Sequence, residues 1–77
     1  MTELAAHGDA LRYEIVINHE KDGNWTATIE TLGVCAAGTT DIEARSKIQV
    51  RALRAIADRI EADGSVPDQI SFAVWLG

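Results

Sequence analysis

Apolar and polar positions alternate from Leu11 to Asn18. Leu11, Tyr13, Ile15 and Ile17 share one parity; Arg12, Glu14, Val16 and Asn18 share the other. A period of two is the signature of a strand with one buried face. The run "HEKDGN" follows, with Asp22-Gly23 as its turn signal. Alternation resumes in "WTATIET", with Trp25, Ala27 and Ile29 on the core side and Thr26, Thr28 and Glu30 on the wet side. "LGVCAAG" is short, apolar and bounded by glycines, and it predicts a third strand whose register the pattern does not fix. The period then changes. From Asp41 to Asp63, Ile48, Ala52, Leu53, Ile56 and Ile60 recur at helical spacing and predict one buried stripe. Thr40 with Glu43 three residues later is a capping-box pattern. Gly64 supplies a stop, and Pro67 forbids continuation. "QISFAVWL" alternates once more, with Ile70, Phe72, Val74 and Leu76 on one face and Ser71, Ala73 and Trp75 on the other.

The order is β-β-β-α-β, an α+β fold. One helix cannot bury its stripe alone, so it must lie on the apolar face of a sheet. The first three strands are expected to form an antiparallel meander. The fourth follows a crossover helix and is expected to lie parallel to the first, with a right-handed connection. Residues 1–10 show no periodicity and are expected to be a flexible tail, leaving residues 11–77 as the domain.

Composition changes this picture little. A 77-residue chain that is 47% hydrophobic and 25% charged is long enough for one thin core and too apolar for disorder. Charge changes it more. The net charge is −5, which disfavours nonspecific binding to nucleic acid or anionic membrane. Yet five of the seven basic residues, Arg45, Lys47, Arg51, Arg54 and Arg59, sit on the helix. Asp41, Glu43, Asp58, Glu61 and Asp63 balance them on the same helix, and Glu43 to Lys47 is the favourable i,i+4 order. The helix therefore reads as a solvated, salt-bridged face, with a local basic patch of Lys47, Arg51 and Arg54 as the alternative. Gln49, Arg45 and Arg59 lie in or beside the apolar stripe, where the arginines can extend their heads to water.

No catalytic constellation emerges. Glu14 and Glu30 fall on polar strand faces, and Asp22 falls in a turn. Cys35 is the one cysteine and is expected to be a small core residue. With His7 and His19 it makes three candidate zinc ligands at no ligand spacing, so no metal or cofactor is expected. "MTELAAHGDA" lacks the basic start and apolar stretch of a signal peptide, and no apolar run approaches membrane-spanning length, so a cytoplasmic protein is expected. Trp75 and its face-mate Ala73, on a fourth strand that can form a sheet edge, are the candidate interface residues, because Trp is enriched where proteins bind one another. A homodimer through this region is the expected assembly.

Three segments carry a resemblance to a known family. Asp22, Gly23, Trp25 and Ala27 fit a D-G-x-aromatic-x-A strand. Leu32, Gly33, Val34, Ala36, Gly38 and Thr40 fit an L-P-G-V-x-A-x-G-x-T segment that here lacks its proline. Lys47, Gln49, Ala52, Leu53, Arg54, Ala57, Asp58, Arg59 and Glu61 fit a helix of the type K-V-Q-x-x-A-L-R-x-x-A-D-R-x-E. Together they resemble the HicB-like antitoxins of the short, single-domain kind, over about residues 12 to 74. The resemblance implies a partial RNase H-like sheet and a non-enzymatic role, in which the domain binds and masks a small HicA-type mRNA-cleaving toxin. Longer members add a DNA-binding domain; none is expected in this chain, which stops just after its fourth strand. The alternatives are an interaction or scaffold domain of the same fold without a toxin partner, and a nuclease relic that retains some affinity for nucleic acid.

Overall fold

A computed structural model describes residues 9–64 and 67–77. It contains β1 (Asp9–His19), β2 (Trp25–Ile29), a 3-10 turn (Glu30–Leu32), β3 (Val34–Gly38), helix α1 (Asp41–Asp63) and β4 (Pro67–Leu76). The fold is α+β: one helix and a four-stranded mixed sheet in the order β3-β2-β1-β4. β1, β2 and β3 pair antiparallel in sequence, and β4 pairs parallel with β1, as the crossover predicts. β1 begins at Asp9, so the boundary expected after residue 10 falls inside the strand. Pairing with Pro67 and Gln69 of β4 draws Asp9 and Ala10 into the sheet. The remainder of the expected tail, with His7, lies outside the described residues.

Register explains the core. Val16 opposes Thr28, Thr28 opposes Cys35, and every second residue therefore shares a face. Tyr13, Ile15 and Ile17 of β1, Ala27 and Ile29 of β2, and Ala36 of β3 are buried beneath Ala44, Ile48, Ala52 and Ile56 of α1. Leu11, Trp25, Leu32, Val34, Ile60 and Phe72 close the rim. The expected core position of Trp25 is thus a rim position, and its ring stacks on the opposed His19 with centroids 4.1 Å apart.

Two expected core residues lie outside the core. Cys35 is exposed, because the β2–β3 register turns Ala36 and Gly38 inward and Cys35 and Ala37 outward. Leu53 is 48% exposed. The helix buries an i,i+4 line from Ala44 to Ile56, and Leu53 lies about 100° round from Ala52 on the flank of that line. α1 packs chiefly on β3 and β2 and less on β1, which leaves that flank half-exposed.

The corner between β2 and β3 is built from local hydrogen bonding. The 3-10 turn ends at Gly33, which adopts φ +66 and donates its N–H to the Glu30 carbonyl at 3.0 Å. A left-handed glycine makes the corner into β3.

Candidate interaction surfaces

Helix α1 covers one face of the sheet and leaves the other bare. The bare face carries the even-numbered residues of β1 and β2 and the odd-numbered residues of β3 and β4. One row crosses all four strands: Trp75 beside Val16, Val16 beside Thr28, Thr28 beside Cys35. Trp75 is 53% exposed. Ala73, next along the same face of β4, sits beside Glu14. Sequence alternation puts Ala73 and Trp75 on one face, opposite Phe72, and the strand register does the same. It adds Val16, Thr28 and Cys35, which no motif singles out. Only strand pairing makes them neighbours.

Carboxylates border this row. Arg12, Glu14, Val16, Glu30 and Thr31 line a shallow depression at one end of the face. At the other end, the Glu20 carboxylate accepts a hydrogen bond from the Thr26 hydroxyl at 2.8 Å. Among these residues three carboxylates stand against the one guanidinium of Arg12, around a row whose apolar members are Trp75, Val16 and Cys35. Glu14 occupies the polar strand face expected of it, whereas Glu30 lies just beyond β2, as the first residue of the 3-10 turn. Asp22, in the β1–β2 turn, is used locally: its carboxylate accepts from the Asn24 N–H at 2.9 Å. Among the described residues, no group of three His, Cys, Asp or Glu side chains is placed to hold a metal ion. No helix among them is long and apolar enough to cross a membrane.

The basic residues of α1 are deployed in a way the sequence did not show. The Arg51 guanidinium donates to the Cys35 carbonyl at 2.9 Å, and the Lys47 ammonium donates to the Ala37 carbonyl at 3.3 Å. Both reach the outer strand β3 from one flank of the helix. Lys47 also stands 4.0 Å from the Glu43 carboxylate, the expected i,i+4 pair. Glu43 itself anchors the start of the helix. Its N–H donates to the Thr40 hydroxyl at 3.0 Å, as in a capping box, while its carboxylate reaches back to the Thr39 N–H at 2.6 Å, one residue beyond the usual partner. These contacts hold its carboxyl below the usual glutamate range, the backbone hydrogen bond from Thr39 first, then the Thr39 hydroxyl, then the Lys47 charge. Gln49 is half-buried on the opposite flank, where it lines a shallow hollow with Ile42, Arg45 and Ser46.

β4 forms the other sheet edge, and its helix-side row is poorly covered. Ile70 is 36% exposed, Val74 38% and Leu76 81%. Phe72 alone is held, against Tyr13 with ring centroids 6.1 Å apart.

Compared with protein-family models, curated proteins and solved structures, the chain matches none.

Proposed function

We propose that this domain is a protein-binding module of the HicB-like antitoxin type, and that it masks a small, basic, HicA-type mRNA-cleaving toxin with the bare face of its sheet. The observation that carries the reading is the cross-strand row Trp75–Val16–Thr28–Cys35 with Glu14, Glu20 and Glu30 around it. A protein that grips mRNA presents cations to phosphate. An acidic face with an apolar centre offers those cations an alternative partner and gives an aromatic anchor a place to bury. The sheet order and single covering helix suit the partial RNase H-like layout that the sequence resemblance implies. The reading assigns binding, not catalysis, to this face, and places the protein in the cytoplasm with its mRNA-directed target.

The test begins with capture of the tagged full chain from native lysate and intact-mass analysis of what co-elutes. A stoichiometric small basic protein is expected. Once freed it should degrade mRNA, and adding the domain back should silence it. Trp75→Ala should weaken that inhibition about tenfold or more, and raised salt should weaken it further. A co-eluting protein without ribonuclease activity, or inhibition indifferent to both Trp75→Ala and Glu14→Lys, overturns the reading. Recovery of the domain alone favours the interaction domain without a toxin, and salt-sensitive retention on RNA favours the nuclease relic.

A further inference from the structure

The two edges of this sheet are treated differently. An edge strand presents unpaired N–H and C=O groups to any strand that approaches, and proteins usually blunt it with lysine, proline or a covering element. β3 is blunted: Arg51 and Lys47 occupy the carbonyls of Cys35 and Ala37, and α1 packs beside them. β4 is not. Its only charge, Asp68, and its only proline, Pro67, both stand at its start, and Gln69 to Leu76 carries neither. On the helix side of the same stretch, Ile70, Val74 and Leu76 remain exposed. The flank of α1 that carries Leu53 lies opposite the Lys47–Arg51 flank and overlooks this side of the sheet.

We propose that β4 pairs antiparallel with β4 of a second copy of this chain, about a two-fold axis through Ala73 and perpendicular to the sheet, giving one continuous eight-stranded sheet. Such an axis keeps the helices of both copies on one face, so residues directly opposite each other must share a face, and the axis must pass through a residue. Through Ala73, Ile70 meets Leu76 of the second copy and Phe72 meets its Val74, and the same two pairs recur by symmetry. Every apolar side chain of the row then faces another, and on the bare face the small Ala73 stands opposite its own copy across the axis. Through Phe72 instead, the Asp68 carboxylate would face Leu76 of the second copy, an uncompensated charge against an apolar group. Charge rules against that register, and an axis through Val74 would leave Ile70 without an apolar partner. Charge also admits a second copy as the occupant: the paired stretch is uncharged on both sides, so a chain of net charge −5 can meet its own copy there without local repulsion, and its apolar row is complementary to itself. Repulsion between the remoter charges is screened by salt, so the dimer tightens as salt rises, opposite to the acidic-face contact.

The experiment is the mass of the full chain by light scattering across salt and concentration, with two sets of variants. Twice the chain mass of 8.3 kDa is expected at micromolar concentration. Leu76→Lys puts a charge at an already exposed position, so the fold should persist by circular dichroism while the dimer dissociates at concentrations about tenfold higher or more. In a Cys35→Ser background, Ala73→Cys should form an intermolecular disulfide under mild oxidation, because the axis brings the two copies of residue 73 directly opposite each other. Ser71→Cys should not. A monomer at every concentration overturns the proposal. So does a dimer unaffected by Leu76→Lys, or one that cross-links through residue 71 in place of 73. None of these outcomes depends on the basic partner, and the partner test uses the other face, so either reading can fail alone.

Discussion

Gly38 stands where β3 gives way to the helix, and its lack of a side chain is a requirement of packing. A Cβ placed there would lie 2.8 Å from the Ala44 backbone nitrogen and 2.9 Å from the Glu43 Cβ. Backbone cannot retreat as a flexible side-chain tip can. Gly38→Ala should therefore destabilise the domain by about 1–3 kcal/mol, read as a lowered midpoint in urea with the slope unchanged. Its neighbour Glu43 makes an electrostatic contribution of a definite sign. The carboxyl is held below its ordinary value by Thr39 and Lys47, so the folded state favours the carboxylate. That stability is present above the unfolded-state value and is lost as pH falls through the lowered one. Glu43→Gln should lower the thermal midpoint at neutral pH and make it less sensitive to acid over the same window. A wild-type and variant pair whose acid melting curves stay parallel would refute this role.

At the scale of elements, the helix does two things at once. Its buried line Ala44, Ile48, Ala52, Ile56 covers three strands. One flank then reaches over the edge and closes it with Lys47 and Arg51. Arg51→Ala removes a charge-assisted hydrogen bond to a strand carbonyl and should cost about 1 kcal/mol, with the larger consequence kinetic: the freed β3 edge becomes available for aggregation. Arg51→Lys should restore part of both. Equal aggregation of wild type and Arg51→Ala on partial heating would show that the contact does not guard the edge. The same element shows where a periodic pattern misleads. Leu53 belongs to the apolar stripe by angle, yet which part of a stripe is buried depends on where the helix sits across the strands, and α1 sits away from β4.

At the scale of the whole molecule, the described residues form a sheet with one face clad by a helix and one edge open, in a chain of net charge −5. Its functional proposals follow from those two asymmetries: an acidic, Trp75-anchored bare face for a basic partner, and an uncharged β4 edge for its own copy. Opposite salt dependences separate them in a single titration. The sequence alone determined the element order, the helix limits Asp41 and Asp63, the caps at Thr40 and Gly64, and the parity that sets Trp75 and Ala73 apart from Phe72, because each depends on local periodicity or local hydrogen bonding. Only the tertiary structure decided the rest. Register across strands put Cys35 outside and lined it up with Thr28, Val16 and Trp75, since a one-residue slip would have reversed every face. The lateral position of one helix over four strands decided which edge is guarded, which apolar row is left uncovered, and why basic residues that read as solvated charge hold a strand in place.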